Sequence, residues 1–148
     1  MKYTADTSFL IGLFVNELRT EPAKEMYSQI RVDKEKVFVP AQTLVEVIYV
    51  LEKFYKLDRE KVAEYVSAIL GTFNFIVEKY EMFYSVMDQY TKHPSINLGD
   101  IIIAEESRRN NISNILTFDR HFEKLGLNVL SSLVPKKRSA TAIQEGPL

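Results

Sequence analysis

Two hydrophobic periods alternate along this chain. Short apolar runs give way to longer stretches in which apolar residues return every third or fourth position, the spacing of one helix face. Residues 2–5 are β-compatible, and Asp6, Thr7 and Ser8 follow as helix-start residues ahead of Phe9, Leu10, Leu13 and Phe14. Pro22 suits the first turn of a second helix, with Ala23, Met26, Tyr27 and Ile30 on one face. Residues 37–39, stopped by Pro40, predict a second strand. Residues 43–55 predict a helix with Leu44, Val47, Ile48, Leu51 and Phe54 inward. Asp58 then caps a helix carrying Val62, Tyr65, Val66 and Ile69, which stops at Gly71.

The same alternation continues. Residues 73–77 predict a third strand, and residues 81–91 an amphipathic helix through Phe83, Val86, Met87 and Tyr90. Gly99-Asp100 opens a helix running to about Asn110, with Asn110-Asn111 as a left-handed stop. Residues 112–118 contain a fourth strand, residues 120–125 a helical turn or two, and residues 128–130 an edge strand. From Lys136 onward no apolar period survives. The expectation is one domain over residues 1–134 and a flexible tail over 135–148. Strands that alternate with helices imply parallel pairing through right-handed crossovers. The expected fold is therefore α/β and three-layered, with a central, mostly parallel sheet of four to five short strands flanked by helices.

Composition narrows the chemistry. The 148 residues contain no cysteine and two histidines, which removes thiolate chemistry and cysteine-ligated zinc. The net charge is −1, so any nucleic-acid contact must rest on a local patch. No apolar run reaches the roughly 18 residues of a membrane span. The N-terminal MKYTADTSFL meets an acid at once and lacks the apolar stretch of a signal peptide. The expected compartment is the cytoplasm, with no membrane contact.

The carboxylates carry the sharper signal. In open parallel sheets, ligands bind beyond the carboxyl ends of the strands. Asp6 ends the first predicted strand, Asp119 the fourth, Asp100 opens the helix leading into the fourth, and Glu46 lies early in the helix after the second. Two carboxylates about 4 Å apart repel by roughly 4 kcal/mol at an effective dielectric near 20. A divalent cation relieves such repulsion, and hard oxygen donors suit Mg²⁺ or Mn²⁺. A metal-activated water attacking a phosphodiester is the chemistry such a site supports.

Each acid also has a plainer use. Asp6, Asp100 and Asp119 stand where helix N-caps stand. Thr43 to Glu46 fits a capping box. Glu105 and Glu106 read as a solvated helix face, Arg108 and Arg109 as partners of a helix C-terminus. The run Lys136, Lys137 and Arg138 reads as solvated tail, and His121 as an exposed histidine without a task. Tyr49, Phe54 and Tyr55 read as core or dimer packing.

The segments ADTSFLIGLF, TLVEVIYVLEKF, LGDIIIAEESRRNN and ILTFDRHFEKL, in this order, resemble the successive motifs of PIN-domain ribonucleases, above all the VapC-type toxins of toxin–antitoxin pairs. The resemblance runs from about Lys2 to Leu130. It implies a PIN fold and a Mg²⁺- or Mn²⁺-dependent endoribonuclease leaving a 5′-phosphate and a 3′-hydroxyl. It implies an active site of Asp6, Glu46, Asp100 and Asp119. Asp6 and Asp100 match the main metal ligands, and Asp119 an acid that binds metal directly or through water. Glu46 matches one that orients water or a second metal, while Ser8 and Thr117 match supporting hydroxyls. It further implies an RNA substrate, a homodimer and a small antitoxin protein. A housekeeping RNA-processing nuclease and a catalytically silent PIN-like interaction module are the alternatives. A phosphoacceptor receiver domain fits poorly, because Asp6 lacks an adjacent acid and Glu78-Lys79 follows the third strand.

Overall fold

The computed structural model describes residues 1–15 and 18–134. The expected tail at 135–148, with its basic run, lies outside the described residues. The chain forms two compact units, Met1–Ser95 and Ile96–Leu148.

In the first unit, strands β1 (Tyr3–Thr4), β2 (Val37–Val39) and β3 (Phe75–Val77) form a parallel sheet in sequence order. Tyr3 pairs with Val37, and Val37 with Phe75. The register sets Val37, Val39, Phe75 and Val77 on a buried face, while Phe38 and Ile76 alternate to the other. Helices α1 (Thr7–Phe14) and α2 (Thr20–Val32) connect β1 to β2. Helices α3 (Ala41–Lys53) and α4 (Arg59–Leu70) connect β2 to β3, and α5 (Tyr80–Lys92) follows. Each bridge between parallel strands needs this much chain, because a tight turn cannot return a strand in the same direction.

Burial follows the expected helix faces. Leu10, Leu44, Val47, Ile48, Leu51, Val62, Val66, Ile69, Phe83, Val86 and Tyr90 are buried. Each such side chain contributes about 1.5–3 kcal/mol relative to exposure. Two expected core positions differ. Phe54, at the C-cap of α3, is 78% exposed and meets Tyr55 edge-on, ring centroids 5.4 Å apart. Met26 is 52% exposed, since only Ala23 of its face is buried. At Gly12 the neighbouring helix comes close: a Cβ there would lie 3.2 Å from the Cβ of Arg19.

The second unit contains α6 (Leu98–Arg109), β4 (Asn114–Leu116), a 3-10 helix (Arg120–Leu125) and β5 (Asn128–Leu130). Strands β4 and β5 pair in parallel, Ile115 opposite Val129. Backbone hydrogen bonds thus group the five expected strands as three and two. Leu98, Ile101 and Ala104 of α6 are buried, as are Phe122, Leu125 and Leu127. Asn111 takes the left-handed conformation expected after the helix. Glu105 corrects the solvated-face reading: it is 7% exposed and paired with Arg108, which also donates to the Leu125 carbonyl. A buried carboxylate is tolerable only with such a partner. Arg108 thereby ties α6 to the 3-10 helix, beyond the terminal-dipole role expected of it. Among the described residues, no helix is long and apolar enough to cross a membrane.

One polar network stands inside the first unit. Arg59 donates to the carbonyls of Tyr90 and His93 at 2.9 and 3.0 Å, and its guanidinium lies 4.2 Å from the Tyr90 ring centroid. The buried Tyr90 hydroxyl donates to Glu52. Burial pushes the Glu52 carboxyl up, but hydrogen bonds from Tyr90 and Lys53 and the Arg59 charge bring it below its ordinary value. Arg59→Ala is therefore expected to cost about 2–4 kcal/mol, read from urea denaturation, through lost charged hydrogen bonds and ring contact. Arg59→Lys should recover only part, since an ammonium lacks the flat guanidinium face that lies over the Tyr90 ring. Equal stability of Arg59→Ala and wild type would remove this network from the account.

Candidate functional site

The first unit brings Asp6 and Glu46 to the start of α1. Asp6 follows β1 and is the N-cap of α1: its Oδ1 accepts from the Phe9 amide at 3.0 Å and from the Ser8 hydroxyl at 2.9 Å. The position is held from α3, where the buried Thr43 hydroxyl donates to the Ala5 carbonyl at 3.1 Å. Thr43 is thus no helix cap, and the capping-box reading of Thr43 and Glu46 fails. Helix α3 begins behind Pro40, and Glu78 Oε1 accepts from the amide of its first residue, Ala41, at 2.9 Å. Glu46 instead accepts from the Thr7 hydroxyl at 2.7 Å and from Gln42 at 3.3 Å. A concavity of about 520 Å³ opens beside Asp6 and Ser8, walled in part by Phe9, Arg19 and Met26.

These hydrogen bonds set the charge state. The Phe9 amide, with Ser8, holds the Asp6 carboxyl below its ordinary range against the opposing effect of burial. The Thr7 hydroxyl, then Gln42, lowers Glu46, while the nearby Asp6 charge raises it. Both are carboxylates at neutral pH, acceptors of hydrogen bonds or cations.

The second unit brings Asp100, Asp119 and His121 together. The helix starts at Leu98, and its N-cap is Asn97, three residues before Asp100, accepting from the Asp100 amide at 2.9 Å. The capping reading of Asp100 therefore fails. Its carboxylate is turned to other use: Oδ2 accepts from Asn97 Nδ2 at 3.1 Å and lies 2.8 Å from His121 Nε2. Asp119 does cap the 3-10 helix, accepting from the His121 amide at 3.2 Å, and its Oδ1 lies 2.6 Å from His121 Nδ1. Thr117 Oγ1 accepts from the Asp119 amide at 3.0 Å.

One ligand atom from each of Asp100, Asp119 and His121 lies within 4.8 Å of the others. Two carboxylates and an imidazole, with no thiolate, suit a divalent cation of hard to borderline character. His121 was passed over in the sequence, yet its side chain is only 27% exposed and wedged between two acids. The usable signal was its place two residues after Asp119, inside one 3-10 turn. Asn97 was likewise not singled out, and Thr7 only as a helix-start residue, because a single hydroxyl or amide carries no motif.

Acid should loosen the first unit. A carboxyl held low in the folded state contributes stability that is full above its unfolded pKa, about 3.9 for Asp and 4.3 for Glu. That contribution is lost as pH falls through the lower folded value. Asn caps a helix as well as Asp but does not titrate. Asp6→Asn should therefore stay within about 1 kcal/mol of wild type at pH 7 and lose less stability between pH 5 and pH 3. Urea midpoints across that range check it, and parallel profiles for the two proteins would count against the cap's role.

The PIN domain family matches residues 3–127. The VapC ribonuclease of Aquifex aeolicus (strain VF5) is 29% identical over 131 residues, 88% of this chain and 96% of the relative. The crystal structure of Mycobacterium tuberculosis VapC20, a sarcin-ricin loop cleaving toxin, covers 85% of this chain and 96% of its own, at 18% identity and a TM-score of 0.41. The family match takes in Asp6, Glu46, Asp100 and Asp119, and with it the chain belongs to the PIN domain family.

Proposed function

We propose that this protein is a metal-dependent endoribonuclease and the toxin of a toxin–antitoxin pair, with the PIN domain spanning residues 1–134. The observation that carries the reading is the cluster of Asp100, Asp119 and His121 in a chain of this family. Asp100 is not used as a cap, since Asn97 fills that place, so its carboxylate is available to a cation. The name of the Aquifex aeolicus relative, a VapC ribonuclease, supports RNA as substrate.

As the family resemblance implies, Asp6 of the first unit and Asp100 of the second each take the part of a main metal ligand and Asp119 that of a further acid, with Ser8 and Thr117 in support. A bound Mg²⁺ or Mn²⁺ would lower the pKa of a coordinated water and offset phosphodiester charge. Ser8 orients Asp6 by donating to its Oδ1, and Asn97 orients Asp100 by donating to its Oδ2. Glu46, kept ionised by the Thr7 hydroxyl, accepts a hydrogen bond from the attacking water or from a second hydrated ion. A homodimer, a small antitoxin partner and a cytoplasmic setting complete the reading.

Asp100→Asn should abolish metal-dependent RNA cleavage while keeping or raising the melting temperature without metal, because one member of a repelling acid cluster is neutralised. Loss of only about 1 kcal/mol of stability with cleavage intact would return Asp100 to a structural role. Millimolar Mg²⁺ or Mn²⁺ should raise the wild-type melting temperature by binding the folded state. Absence of that shift, together with no cleavage of any RNA, would favour a silent interaction module.

A further inference from the structure

We infer that His121 is itself a metal ligand, that Asp119 acts on the ion through the imidazole, and that the pair makes the site select Mn²⁺ over Mg²⁺. The inference rests on the metal reading above and names the donor that sets its selectivity.

The two ring nitrogens of His121 face different acids. Nδ1 lies 2.6 Å from Asp119 Oδ1, and the same oxygen accepts the His121 amide at 3.2 Å. Asp119 therefore grips one residue twice, by backbone and by ring. Phe122 lies against the ring, centroids 4.9 Å apart and tilted by 32°. The imidazole is held at one nitrogen and along one face. Its other nitrogen, Nε2, is presented to Asp100 Oδ2 at 2.8 Å.

A histidine whose one N–H is given to a carboxylate, leaving the other nitrogen for a metal, is the usual arrangement of ligating imidazoles. Asp119 has the outer place in that arrangement and is a positioning residue. Asp100 Oδ2 and His121 Nε2 are the inner pair. Their separation is close to the about 3 Å between neighbouring ligands on a six-coordinate ion with bonds of roughly 2.1 Å. Asn97 Nδ2, 3.1 Å from the same Asp100 oxygen, holds that side of the pair.

An imidazole in the inner pair changes which ion fits. Mg²⁺ prefers oxygen and gives up its waters reluctantly, whereas imidazole suits first-row transition ions. Neither acid alone makes that distinction; the nitrogen does.

The test is pulsed electron paramagnetic resonance of Mn²⁺ added to the metal-stripped, full-length protein, beside calorimetric titration with Mn²⁺ and Mg²⁺. Wild type should show ¹⁴N coupling from a directly bound imidazole and bind Mn²⁺ at least about tenfold more tightly than Mg²⁺. His121→Ala should lose the ¹⁴N coupling and the preference for Mn²⁺ over Mg²⁺. Asp119→Asn should weaken Mn²⁺ binding by about 10–100-fold yet keep the ¹⁴N coupling at saturation. Mn²⁺ bound to wild type without ¹⁴N coupling would overturn the inference and leave the metal site standing; this reading needs no variant to fold. Failure of wild type to bind either ion would overturn the inference and the metal-dependent reading together.

Discussion

The first turn of a helix exposes amide groups that need an acceptor, and in this chain the choice of acceptor decides which carboxylates remain for chemistry. Four acids stand near helix starts, and the structure divides them evenly. Asp6 and Asp119 accept amide hydrogens and are anchored by them. Asp100 is spared by Asn97 one turn earlier, and Glu46 lies beyond the start of α3, whose first amide is taken by Glu78. Capping and chemistry are not exclusive, since a carboxylate has two oxygens. A capping carboxylate is nevertheless rigid, ionised and oriented, which is the state a metal ligand needs.

The second unit is organised around a buried carboxylate and its more exposed guanidinium partner. Arg108 pairs with the buried Glu105 and reaches the Leu125 carbonyl, so the end of the 3-10 helix is tied to α6. Phe122 and Leu125 of the 3-10 helix and Ile101 and Ala104 of α6 are all buried. The His121 ring is thereby placed at Asp100 by packing, hydrogen bonds and an ion pair acting on one short segment. A cluster whose members are supported from outside keeps its geometry when a cation arrives, which lowers the cost of reorganisation on binding.

Much of this was legible in the residues. The alternation of short apolar runs with helical periods predicted all five strands and their parallel pairing, because parallel strands demand long crossovers. Asp58, Gly71 and Asn111 mark boundaries where local chemistry alone decides. Phe54 misled because apolar period continues one residue past the point where α3 ends. Glu105 misled because a carboxylate reads as solvated until its guanidinium partner is in view. Asp100 carried a capping alternative beside its metal reading because Asp is a good cap, and Asn97 takes that place instead.

By itself the chain's sequence determined the order of elements, the absence of thiol chemistry, and four acids in the motif order of the PIN family. Those are properties of spacing and residue type, which act over one or two turns. Only the tertiary structure decided that Thr7 would serve Glu46 from 39 residues away, or that His121 would lie against Asp100 across 21. A side chain's partner depends on where the rest of the chain carries it, and a hydrogen bond reaches about 3 Å whatever the separation in sequence. The histidine between two acids is therefore a fact of folding, and no period in the sequence announces it.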